Sequence, residues 1–224
     1  MASTPQTFEA LRASTDNALN VRKALGVIVA VAPMSAPLVT TLVNASGQIT
    51  MPEGYDVLGL FTRDGLTFGA ESDNEDVEAL GYMSPVRRDI SSITRTVTLQ
   101  AYEIDRRAIR ELATGNSLSQ VVPSAESGEL IMDDPEVPVH SRRRLLAIAR
   151  DINKANGLDI LRAKFYPQVE ISKMPEEQWG TDALQNELEF TNFLDQTAGY
   201  SVRNILAGPG LDAAKLGYGP AAGA

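Results

Sequence analysis

The one imidazole of the chain, His140, stands next to Ser141 and shortly after Asp133 and Asp134. These are the residue types of an acyl-transfer triad, in which a base takes the proton of a hydroxyl nucleophile and a carboxylate orients the base. Chain neighbours do not make that geometry, because triad members converge from separate elements. The strained G-x-S-x-G turn that presents a nucleophile is absent, as are the P-loop and the dinucleotide fingerprint, and Gly208-Pro209-Gly210 reads as a turn. The run Glu71, Asp73, Glu75, Asp76, Glu78 carries oxygen ligands enough for a hard cation but lacks the central glycine and terminal glutamate of an EF-hand loop. Carboxylate pairs for glycoside hydrolysis could be drawn from 29 acids, yet Trp179 is the only Trp and few aromatics remain to line a sugar cleft. With no Cys, thiol catalysis, disulfides and cysteine-built zinc or iron–sulfur sites are excluded. The residues point to a non-enzymatic protein with no cofactor and no metal.

A formal net charge of −9, from 29 acidic and 20 basic residues, opposes the concentrated basic surface that duplex binding needs. The charge is segregated. Residues 71–79 hold the acidic run without a base, and 116–141 add Glu126, Glu129, Asp133, Asp134 and Glu136, again without Lys or Arg. Residues 142–166 reverse the sign, with Arg142, Arg143, Arg144, Arg150, Lys154, Arg162 and Lys164 against Asp151 and Asp159. Such blocks serve either as solvated faces with internal pairing or as contacts between repeated subunits, where complementary patches set register. The contact reading names Glu71, Asp73, Glu75, Asp76, Glu78, Arg142, Arg143 and Arg144. Arg22 and Lys23 before the apolar run 24–32 imitate a signal peptide, but a polar, acid-containing segment precedes them and Pro33 follows the run. Pro33, Ser35, Pro37 and Thr40 interrupt any membrane span, so a buried strand and no membrane partner are expected.

The elements that must position these residues are mostly strands. From Ile93 to Glu103 the odd positions Ile93, Arg95, Val97, Leu99, Ala101 and Glu103 make one face, apolar at its centre. The even positions Thr94, Thr96, Thr98, Gln100 and Tyr102 make a second face, polar but uncharged at its centre. The chain then enters a helix that Asp105 can cap, with a stripe of Ala108, Ile109, Leu112 and Ala113, and Gly115 ends it. Strands are also expected at 24–32, 39–43, 54–61, 144–152, 158–166, 169–172 and 184–194, with a bulged hairpin through Asn156-Gly157. In the last strand Leu184, Leu188, Phe190 and Leu194 alternate with Gln185, Glu187, Glu189 and Thr191, giving one buried and one acidic face. Residues 71–80 read as a short helix or a protruding loop. Residues 1–20 and 208–224 read as terminal arms around a β domain of 21–207.

Taken in order, the strand and helix of 81–115, the hairpin at Asn156-Gly157, the run FYPQVEISKMPEEQW at Phe165–Trp179 and the closing NILAGPG at Asn204–Gly210 resemble the major tail proteins, or tail tube proteins, of long-tailed bacteriophages, particularly those of actinobacteria. The resemblance covers roughly residues 54–210. It implies an α+β fold, mainly β with one flanking helix, in which a β-sandwich or barrel-like core carries extended arms and a protruding loop. The flanking helix would hold Asp105, Ile109, Leu112 and Gly115, and the loop for ring-to-ring contact would fall on 69–80. Hexameric rings would stack into a tube in the virion, made in the host cytoplasm, with tape measure and tail terminator proteins as partners and DNA passing without specific binding. Two faces suit the lumen: Thr94, Thr96, Thr98 and Gln100, or Glu187 and Glu189. Other ring-formers share this logic, among them tail terminators, head decoration proteins and secretion-system tubes. From a different class, a sugar-binding or hydrolytic β-sandwich would require a convergent pocket at His140 or Trp179.

Overall fold

Two unbroken apolar runs, Val29-Ala30-Val31-Ala32 and Leu145-Leu146-Ala147-Ile148, lie on strands buried on both faces, which removes the alternation expected of a half-solvated sheet. The structure, a computed structural model, describes residues 7–16, 20–177, 179 and 181–219. Its strands are β1 (Gly26–Pro33), β2 (Asp56–Val57), β3 (Phe61–Val77), β4 (Arg87–Ala101), β5 (Arg143–Ile152), β6 (Asp159–Lys173), β7 (Asn186–Asn192) and β8 (Arg203–Ala207). Its α-helices are α1 (Phe8–Thr15) and α2 (Arg107–Thr114). All strands join one antiparallel sheet in the order β2-β1-β5-β6-β7-β4-β3, with β8 also paired to β6.

The sheet curls on itself. Phe68 of β3 and Tyr166 of β6 stack with ring centroids 6.3 Å apart, although β7 and β4 separate those strands in the hydrogen-bonded order. The enclosed core gathers Val29, Val31, Leu145, Ala147 and Tyr166 from one side and Val97, Leu99, Leu188 and Phe190 from the other, with Ala108, Ile109 and Leu112 of α2. A second core on the outer face of β1, β5 and β6 packs Leu146, Ile148 and Phe165 under Ala36, Val39, Leu42 and Tyr55. The mainly β class with α2 flanking the sheet is therefore present.

Several expectations are corrected. Residues 39–43 form no strand; they lie over the second core, and a turn at Asn44, whose side chain accepts from Ser46 N and Gln48 N at 2.9 and 3.0 Å, ends them. The strands expected on either side of Pro167 are one, β6. Its partner shifts register between Arg143 and Leu145, and its other edge passes from β8 to β7, so the missing proline N–H falls where the ladder is already interrupted. Residues 71–77, expected as helix or loop, continue the 17-residue β3. β8 had no counterpart in the sequence reading. Asp105 does not cap α2: Arg106 occupies that position without a side-chain cap. Glu103 fastens the helix start instead, accepting from Leu60 N at 2.8 Å and pairing with Arg106, whose guanidinium holds its carboxyl below the usual range.

Gly115 ends α2 as expected, with φ 70° and its N–H on Glu111 O at 3.1 Å. A Cβ there would lie 3.0 Å from the Val139 backbone, so both conformation and space favour glycine. Part of the N-terminal arm is the helix α1, capped by Thr7, whose hydroxyl accepts from Ala10 N at 3.3 Å. The remaining arm residues 1–6, 17–19 and 220–224 lie outside the described residues. The C-terminal arm begins tied to the body, since Gly210 donates to Asp159 O at 2.8 Å and accepts from Asn153 Nδ2 at 2.7 Å.

Candidate functional site

Register fixes the geometry of the two candidate linings. On β4 and β7, Thr96 opposes Thr191, Thr98 opposes Glu189 and Gln100 opposes Glu187. Directly opposed residues of an antiparallel pair share a face, so the Thr/Gln ladder and the Glu187/Glu189 row are one surface. β3 extends it, with Thr67 opposite Thr98, Gly69 opposite Thr96 and Glu71 opposite Thr94, and β6 adds Glu170 opposite Thr191. The intervening residues Val97, Leu99, Leu188 and Phe190 form the reverse, core side. Gln100 Nε2 donates to Glu187 Oε2 at 3.4 Å and Ser172 Oγ donates to Glu189 Oε1 at 2.9 Å. Cations at this face are engaged: Lys173 Nζ lies 3.9 Å from Glu187, and Arg142 Nε lies 3.4 Å from Glu170.

The acidic run lies on a ribbon. Beyond Thr96, β4 has lost β7, so residues 70–77 of β3 and 87–95 of β4 pair, among the described residues, only with each other. Ser92 Oγ donates to Asp73 at 2.7 Å, and Arg88 grips Asp76 through two bonds of 2.6 and 2.7 Å, which lowers the Asp76 pKa. At every second position Glu71, Asp73 and Glu75 are spread along the strand at roughly 6.5–7 Å steps and Asp76 turns to the other face, and no cluster of three carboxylates able to hold a metal ion forms among the described residues. Glu78 follows the end of β3 and is exposed. At the tip Leu80 and Met83 are fully exposed.

The arginine block divides three ways. Arg142 is exposed and lies over the Phe193 ring as well as against Glu170. Arg143 is half-buried with no ion pair among the described residues. Arg144, read from sequence as a subunit contact, is only 7% exposed: Nη2 donates to Met34 O at 3.0 Å, and Nη1 lies 3.7 Å from Asp195. It belongs to the interior because it shares a face of β5 with Leu146 and Ile148. Asp195 is held in turn, accepting from Thr197 N and Ala198 N at 2.8 and 3.1 Å.

His140 makes no hydrogen bond to Ser141, Asp133 or Asp134 among the described residues, and its Nε2 is buried without a partner. Trp179 is exposed and donates to Glu177 at 2.6 Å. Neither lines any of the four principal clefts among the described residues. No described helix is long and apolar enough to cross a membrane. In comparisons with protein-family models and with curated protein sequences, nothing matches the chain.

Proposed function

We propose that this chain is a non-enzymatic structural subunit of a phage tail tube, whose hexameric rings stack into a conduit for the genome. The observation that carries this reading is the single polar face shared by β6, β7, β4 and β3, backed by core and ending at an edge of β3 with no partner strand among the described residues. A wall past which DNA must slide should hold few free cations, because each Lys or Arg that meets phosphate adds affinity. Here Lys173 and Arg142 are engaged by Glu187 and Glu170. The open β3 edge supports ring closure, since pairing with a neighbouring copy converts an aggregation hazard into a continuous barrel. In this reading the partners are other copies, the tape measure and the tail terminator. DNA passes unbound, no cofactor is used, and the protein is made in the host cytoplasm and ends in the virion.

Electron microscopy of the concentrated protein, seeded with a tail-initiation complex, should show open-ended tubes of uniform width. Monodisperse monomers under seeding would overturn the reading. Tubes of the Glu187→Lys/Glu189→Lys variant should retain short duplex DNA that wild-type tubes release. Equal release would move the lining to another face.

A further inference from the structure

The curl of the sheet leaves a cleft of about 1030 Å³ between the start of β1 and the first part of β3, with β5 and β6 as its floor. Val27, Phe61 and Ala147 supply apolar surface, and Arg63, Arg162 and Lys164 supply positive charge beside Asp64. None of the three cations has a carboxylate partner among the described residues, whereas Arg142, Arg144 and Arg150, from the same charge block as Arg162 and Lys164, are paired with Glu170, Asp195 and Asp159. Lys164 rests its ammonium 4.4 Å from the centre of the Phe68 ring. Burial first, and the Arg162 charge second, push its pKa down, the signature of a cation held without an anion.

The complementary charge is on the same chain but not in the same place. Of the two acidic blocks, the ribbon is partly neutralised by its own Arg88, which holds Asp76. Segment 116–141 differs. It has no helix or strand, Glu126, Glu129, Asp133, Asp134 and Glu136 form no ion pair among the described residues, and Leu130 and Ile131 stand exposed between those acids. No residue of 116–141 lines the cleft.

We propose that segment 129–136 of one copy docks in the basic cleft of a second copy, with Leu130 and Ile131 against its apolar floor and Asp133, Asp134 and Glu136 on Arg63, Arg162 and Lys164. This rests on the reading that the chain self-assembles, and adds which surfaces meet. Opposite potentials orient and register such a contact, and like charges in the same place oppose it. The contact is heterologous, so each copy offers one segment and one cleft, and the contact repeats from copy to copy.

The test uses the full chain. Wild-type protein, Arg162→Glu/Lys164→Glu, Asp133→Lys/Asp134→Lys and the combined four-fold variant are compared by sedimentation and microscopy, with circular dichroism to confirm folding. Each reversal alone should weaken association by at least roughly tenfold, and the combined variant should regain it. Because the chain has no Cys, an oxidised mixture of Asp134→Cys and Arg162→Cys proteins should yield a mixed cross-linked dimer in excess of either homodimer. Undiminished association of the folded reversals, or no recovery in the combined variant, overturns the docking while leaving self-assembly standing. Wild-type protein that stays monomeric under seeding removes both. Duplex DNA held by wild type and released by Arg162→Glu/Lys164→Glu, with association unchanged, would reassign the cleft to phosphate and overturn the proposal.

Discussion

The β5–β6 pair and the β3–β4 pair are both long antiparallel hairpins, and they live in opposite environments. β5 and β6 are covered on one face by the enclosed core and on the other by residues 36–55, so Leu145, Leu146, Phe165 and Val169 are all inaccessible to solvent. The outer half of β3–β4 has neither cover, and every residue of its strands from Ala70 to Val77 and from Arg87 to Thr94 is exposed. An isolated two-stranded ribbon is marginal in water. What holds this one is the backbone ladder together with the Asp76–Arg88, Arg87–Asp89 and Ser92–Asp73 contacts. The body is therefore stabilised by burial and the ribbon by pairing, so the ribbon can move or re-pair with little change to the body. That independence would suit the ring-to-ring contact of the proposed tube.

The largest expected effect lies in the body. Phe165→Ala should lower unfolding free energy by about 3–5 kcal/mol, because it removes a fully buried ring from a packed core. Ile90→Ala on the ribbon should stay within about 0.5 kcal/mol, since Ile90 is exposed. Denaturant titration measures both, and equal losses would mean that the ribbon is part of the same cooperative core. Next comes the arginine block. Arg144→Glu places a second anion beside Asp195 in the interior and should cost at least about 3 kcal/mol. Arg143→Glu, with no ion pair to break, should leave the melting temperature nearly unchanged. If the two substitutions behave alike, Arg144 is not the internal member of the block.

The same contrast explains what was legible beforehand. Where burial dictates sequence it could be read: Val97, Leu99 and Ala101 alternate with Thr96, Thr98 and Gln100 because one side meets the core, and Gly115 stands where only glycine fits. The far half of β3 was hidden because Glu71, Asp73, Glu75 and Asp76 have poor strand propensity, and their support comes from residues on another strand. The unity of the polar face was hidden for a related reason, since register between β4 and β7 is a long-range property that neither strand reveals alone. Arg144 was a missed signal. Once β5 is read as a strand, period two puts Arg144 with Leu146 and Ile148, and only the partner Asp195 needed the fold. The cleft with Arg162 and Lys164 could not be read at all, because it exists only after the sheet curls.

The smallest expected effect is the sharpest probe of the ribbon. Arg88 lowers the Asp76 pKa through its two hydrogen bonds, so the folded value lies under the unfolded one. The sign follows: the pair's contribution is present above the unfolded carboxylate pKa of about 3.9 and is lost as pH falls through the depressed folded value. In Arg88→Ala the Asp76 titration, followed by NMR of its side-chain carboxyl, should move up toward the unfolded range. Amides of residues 74–77 should exchange faster at neutral pH, while the global melting temperature stays within error because both groups are solvent-screened. A drop in melting temperature comparable with that of Phe165→Ala would break the division between body and ribbon. An unshifted Asp76 with unchanged exchange would mean that the Asp76–Arg88 pair adds nothing and that the backbone ladder alone holds this part of the ribbon.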